Sequence, residues 1–200
     1  GEVPVMRWLL ADDPGRLPVV CYLAHLCNAE LFDSISFTIS PAEASWMDPQ
    51  QRMLMEVGYT SLCYAGRDRV SLLANNTAVV VGIQANDFAD IAMEKVRKTT
   101  LPVYAVSGFT FSVAAGRLSY VLGMQGASFN TDTACSTALV AAHLAATLVS
   151  NKGCEGALTA AVNLLLVPMG HVLVAIAGMT SADGQCKFLD SRANGYVRSE

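Results

Sequence analysis

Charge is what this chain has least of. Only 15% of its 200 residues are Asp, Glu, Lys or Arg, against 52% hydrophobic ones, where soluble domains average about 25% charged. So few charges read as a chain that is mostly interior, part of a larger protein whose remaining surfaces are covered by more chain or by a partner. The 13 basic and 17 acidic residues give a net charge of −4 and form no basic cluster, which leaves out nucleic acid and anionic membrane as partners. No C-x-x-C pair occurs among Cys21, Cys27, Cys63, Cys135, Cys154 and Cys186, so no metal site is expected. The opening "GEVPVMRWLLADDPG" lacks a basic stretch followed by an apolar one, so the thiols are expected to be reduced and the protein intracellular. There is also no internal repeat, low-complexity tract or Pro/Gly/Ser linker, and residues 1–200 are expected to form one domain without an internal boundary.

The longest uncharged run, Gly156 to Ala182, is long enough to cross a bilayer. Asn163, Pro168, Gly170 and His171 interrupt it, so it is read as a buried strand, a turn and a helix, with no membrane span. Upstream, residues 1 to about 30 are irregular, with Pro4, Pro14, Gly15 and Pro18. "SPAE" then offers Ser40 as a helix cap with Pro41 behind it and Glu43 to complete a capping box, and "DPQQ" repeats the device with Asp48, Pro49 and Gln51. The helix that follows is expected to present Met53, Val57 and Leu62 as its apolar face and to stop at Gly66. "TAVVVGIQ", residues 77 to 84, reads as a strand buried on both faces of a mostly parallel sheet. A polar helix near 87 to 98, a helix in "VSGFTFSVAAGRLSYVLG", a strand in "ASFNTDTA" and a further helix follow. The alternation argues α/β layers. "ALVAAHLAATLV" is apolar almost all round, so its helix is expected to be sandwiched between layers.

Within "NTDTACSTALVAAHLAATLVS", Cys135 stands at the threshold of that helix. A thiol in a first helical turn faces backbone amides and the positive end of the helix dipole, which suits a nucleophile. Its proton partner is missing. His143 lies eight residues along the same helix, about 12 Å away, and His25 and His171 have no motif around them, so all three are read as core or interface residues. Asp132 is expected to bond the backbone at the turn into the helix.

"MDPQQR" and "DTACS" at this separation, with "ELFDSISFTISPAEASW", "AVVVGIQANDFAD", "AAGRLSYVLG", "GMTSADGQCKFLDSRANGYVRSE" and the early "VPVMRW", make the chain resemble the N-terminal half of β-ketoacyl synthases, in particular the ketosynthase domains of type I polyketide synthases. The resemblance implies a thiolase-like fold of layered αβαβα architecture, of which the N-terminal half is present, working as a homodimer. It implies a 3-oxoacyl-[acyl carrier protein] synthase, an acyltransferase performing decarboxylative Claisen condensation, as in polyketide and fatty acid biosynthesis. By motif, Cys135 is the acyl-accepting nucleophile, with its own N–H as an oxyanion donor. No cofactor is implied in the domain itself; the substrates are acyl and malonyl-type groups carried by phosphopantetheine on an acyl carrier protein. That carrier and neighbouring synthase domains are the implied partners, and the cytoplasm the implied location, an organelle being left open. Phe109 and Phe111 fall in a stretch that helps line the family's acyl channel, with ordinary packing as the alternative.

Arg117 and Tyr120 of "GRLSY" are read as structural or interface residues. The family's two catalytic histidines lie in motifs downstream of the cysteine, and its first strand precedes the start. The chain is therefore expected to be truncated at both ends and inactive by itself. Two other readings stay open: a non-elongating scaffold or gatekeeping ketosynthase, and a thiolase-like acyltransferase, against which "MDPQQR" and "GRLSY" argue.

Overall fold

The computed structural model describes residues 22–84, 86–96 and 103–200. The proline-punctuated start, "VPVMRW" and Cys21 lie outside them. In chain order the elements are β1 (Leu23–Ala24), α1 (Pro41–Ala44), α2 (Pro49–Tyr64), α3 (Arg69–Leu72), β2 (Thr77–Ile83), α4 (Asp87–Val96), α5 (Ala105–Phe109), α6 (Phe111–Leu122), β3 (Ser128–Thr131), a 3-10 turn (Ala134–Ser136), α7 (Thr137–Ser150), β4 (Gly156–Val162), α8 (Met169–Ile176) and β5 (Arg198–Ser199). They divide between two compact units, residues 29–163 and the chain on either side.

The unit of residues 29–163 is built on a parallel sheet in the order β3-β2-β4. All seven residues of β2 are buried, as its unbroken β-branched run requires of a central strand. Its two faces serve two cores. Val79, Val81 and Ile83 join Leu54, Met55, Leu62, Leu118 and Leu122 of α2 and α6, and Val80 meets Ala141 and Ala145 of α7. Helices therefore cover both faces of the sheet, and each fully buried Val contributes about 1.5–3 kcal/mol.

Three expectations are corrected here. The buried face of α2 is Leu54, Met55, Gly58 and Leu62, whereas Val57 is 62% exposed; the helix is apolar on more than one side, and packing against α6 and β4 selects the side. The single helix expected across residues 106–123 is broken at Thr110, which is extended (φ −83°, ψ 124°) between α5 and α6. The helix after Cys135 is not sandwiched: α7 buries Thr137, Ala141 and Ala145 and leaves Leu139 76% exposed, because in this unit one sheet covers one helix face. The uncharged run becomes β4, a turn and α8, with the strand stopping at Val162. No helix among the described residues is long and apolar enough to cross a membrane.

In the other unit, β1 pairs in parallel with β5. The Glu200 carboxylate accepts from Leu26 N at 2.9 Å and Leu165 N at 3.0 Å. Residues 181–194 are knotted by side chains: the Asp183 carboxylate accepts from Lys187 and, at 2.6 Å, from Ser181 Oγ. These bonds, that from Lys187 foremost, hold Asp183 down to about 2. Its acidity is greater folded than unfolded, so its contribution is present above the ordinary carboxylate range and lost as pH falls from about 4 towards 2. Asp183→Asn is therefore expected to flatten the acid limb of a circular-dichroism titration between those values and leave the neutral baseline unchanged; an unaltered limb refutes the assignment.

Candidate active site

The carboxyl end of a parallel sheet is where α/β proteins place their ligands, and Cys135 stands there, four residues beyond the end of β3. Between strand and helix the chain makes a turn held by its own side chains. Asp132 Oδ1 accepts from Ala134 N at 2.9 Å. Thr137 Oγ1 accepts from Thr133 N at 2.8 Å and donates to Ala134 O at 2.6 Å. Ser136 Oγ lies 2.9 Å from both Thr133 O and Thr133 Oγ1. Ala134 is left-handed, with φ 55°, a conformation that costs an L-residue about 1–2 kcal/mol. Cys135 follows it, in the middle of the 3-10 turn that runs into α7, and is exposed. Its amide has no acceptor among the described residues, as befits a first helical turn. Asp132 bonds the backbone as expected.

A second cluster fixes the floor of the unit. Ser40 Oγ accepts from Glu43 N at 3.1 Å and Asp48 Oδ1 from Gln50 N at 2.8 Å, so both caps form. The return arms of the expected capping boxes go elsewhere. Glu43 pairs with Arg117 at 2.5 Å. Gln51 accepts from Arg117 Nε at 3.0 Å and donates to the carbonyls of Ser107 and Thr110. Arg117 is only 9% exposed and also reaches Ser107 O at 3.3 Å. "MDPQQR" and "GRLSY" are thus two halves of one buried polar network that clamps the α5–α6 break. Burial raises the Asp48 carboxyl above its ordinary range, against the bonds from Gln50 that lower it.

Phe109 ends α5, half-buried, and Phe111 starts α6, where it packs against the larger core. Asn130 of β3 locks that start, accepting from Ala115 N at 3.1 Å and donating to Phe111 O. His143 is exposed on α7; His25 is exposed and His171 fully buried in the other unit. The structure brings no histidine to Cys135 within residues 29–163. A cavity of about 290 Å³ lies between α2 and β4, lined by Met53, Val57, Gly58, Leu158 and Ala160 among others; Cys135 is not part of it. Asn130, Thr137 and Gly108 were not read from the sequence. Only the polar Asn within an apolar strand pattern and the Thr following the motif could have drawn attention, since their partners are 4 to 19 residues away.

A parallel α/β unit with an exposed thiol on the turn from strand to helix defines a thiolase-like fold carrying a candidate nucleophile. The comparisons agree. The model of the beta-ketoacyl synthase N-terminal domain matches residues 2–200. A phenolphthiocerol/phthiocerol polyketide synthase of Mycobacterium tuberculosis is 41% identical over 208 residues, covering 100% of this chain and 10% of the relative. Tenellin synthetase of Beauveria bassiana is 41% identical over 84% of this chain and 4% of its own length. The ketosynthase from module 6 of the bacillaene synthase of Bacillus subtilis 168 superposes with a TM-score of 0.85 at 34% identity, over 98% of this chain and 32% of that one. The chain belongs to the β-ketoacyl synthase family, and its relatives are ketosynthase domains of polyketide synthases. It spans about a tenth of the first relative's length.

Proposed function

We propose that these residues are part of a condensing ketosynthase in which Cys135 is the acylated nucleophile. The observation that carries the reading is the exposed thiol in the first helical turn, with its own amide directed to no protein acceptor among the described residues. In the proposed reaction the Cys135 thiolate attacks the carbonyl of an acyl thioester on a carrier phosphopantetheine. The tetrahedral oxyanion is held by the Cys135 N–H, and the carrier thiol leaves. A malonyl-type extender then loses CO₂, and the resulting carbanion attacks the acyl-cysteine, expelling the Cys135 thiolate and leaving a β-ketoacyl group on the carrier. The proton-handling histidines of this step come, in this reading, from family motifs outside residues 1–200. The partners are then an acyl carrier protein, a second copy of the chain and neighbouring synthase domains, inside the cell.

Residues 1–200 are taken as one partial domain because the family match spans both compact units. The exposed apolar side of α7, with Leu139, supports a further layer packed there. Phe109 is carried as a channel residue; for Phe111 its contact with the core supports packing as well. To test the reading, the full-length protein is incubated with an acyl-N-acetylcysteamine thioester and digested for mass spectrometry. The acyl mass is expected on the Cys135 peptide alone; an adduct confined to any other of the six cysteines refutes it. Release of a β-ketoacyl product on adding malonyl-carrier supports elongation, and acylation without product supports the scaffold reading.

A further inference from the structure

We infer that Thr137 is a positioning residue for the oxyanion donor, acting through the peptide bond between Ala134 and Cys135. The inference rests on Cys135 being the acylated thiol. A peptide unit is planar and trans, so the Ala134 carbonyl and the Cys135 N–H belong to one rigid plate and point in opposite directions. Whatever holds the carbonyl aims the amide. Thr137 Oγ1 donates to that carbonyl at 2.6 Å. The same oxygen accepts from Thr133 N at 2.8 Å and stands 3.5 Å from Asp132 Oδ1, so its single hydrogen is committed and it cannot turn away without breaking both bonds.

Two further observations show that the hydroxyl is anchored. Residues 132–136 are exposed, whereas Thr137 is 8% exposed. Its methyl Cγ2 lies 2.7 Å from where a Cβ on Gly82 would fall, in contact with the buried central strand. Glycine at 82 admits the methyl, and the methyl fixes the rotamer that presents the hydroxyl to the turn. A left-handed alanine persists only where its surroundings over-determine it. Here Asp132 holds the Ala134 amide and Thr137 holds its carbonyl. The consequence is an amide at Cys135 aimed away from the protein before any substrate arrives, which is the preorganisation an oxyanion donor needs.

The test separates reactions that develop an oxyanion from one that does not. In the full-length protein, Thr137→Val keeps the methyl shape and removes the hydroxyl, and Thr137→Ser does the reverse. Acyl loading from an acyl-N-acetylcysteamine thioester is expected to fall about 10- to 100-fold in Thr137→Val, the scale of a misdirected oxyanion donor. Alkylation of Cys135 by iodoacetamide, a displacement without an oxyanion, is expected to stay within about threefold, and Thr137→Ser to restore loading. Wild-type loading in Thr137→Val overturns the proposal; so does an equal fall in loading and alkylation, or a Thr137→Ser variant as slow as Thr137→Val. If Thr137→Val does not fold, Thr137→Ala is read by the same criteria. Cys135→Ala is the control: if it still loads, the nucleophile reading has failed, and if it does not while Thr137→Val loads normally, only the positioning role has failed.

Discussion

Cys135→Ala abolishes acyl transfer onto the full-length protein, a loss of about 10³-fold or more, while its unfolding temperature stays within about 2 °C of wild type, as for exposed substitutions in general. The size of the expected loss follows from the absence of a substitute. Among the described residues, Cys27, Cys63 and Cys186 are also exposed and Cys154 is buried, but none begins a helix. Cys63 is one residue from the end of α2, where carbonyls rather than amides terminate the helix. Cys186 Sγ accepts from Val197 N at 3.2 Å. Of these cysteines, Cys135 alone combines an exposed thiol with the leading amides of a helix. Loading at the wild-type rate in the alanine variant, measured by intact mass after incubation with an acyl thioester, sinks the assignment.

Gly108→Ala is expected to destabilise the protein by about 3 kcal/mol or more, the range of overpacking that only backbone movement can relieve. A Cβ on Gly108 would lie 1.9 Å from Trp46 O and 2.9 Å from Trp46 C, backbone atoms that no rotamer change can withdraw. Close by, Gly108 O accepts from Asp48 N at 2.7 Å, so the two segments of chain cannot separate without breaking the bond that holds the start of α2. Gly116, near the middle of α6, meets nothing within 4 Å. Gly116→Ala is accordingly expected to stabilise by about 0.5–1 kcal/mol through helix propensity alone. Denaturant unfolding of the two variants side by side checks the contrast; similar behaviour would show that the close approach at Trp46 is not a constraint.

These two positions differ in how far the sequence discloses them. Cys135 was legible because its signals are local: a thiol, a preceding Asp-Thr stretch and a following apolar helix lie within a few residues. Asp132 was legible for the same reason, since it bonds the backbone two residues on. Gly108 was not, because the atom it must avoid belongs to Trp46, far away in the chain. Glu43 and Gln51 illustrate the limit from the other side. Their spacing from Ser40 and Asp48 is that of capping boxes, and the caps form, but Arg117 takes both side chains. A buried guanidinium must be paired, and that demand outweighs a return bond at an exposed helix start.

By itself the sequence determined β2 as a central buried strand, the starts of α1 and α2, the strand-and-helix alternation and the thiol at the mouth of α7, all features set by residues near one another in the chain. Tertiary structure alone decided which side of α2 is buried, where α5 ends and α6 begins, that α7 offers one face to its sheet, and that Thr137 holds the peptide leading into Cys135. The division has one physical cause. Turn geometry, capping and β-branched runs act over a few residues, whereas burial and hydrogen-bond saturation are settled only when distant segments compete for the same space and the same polar groups.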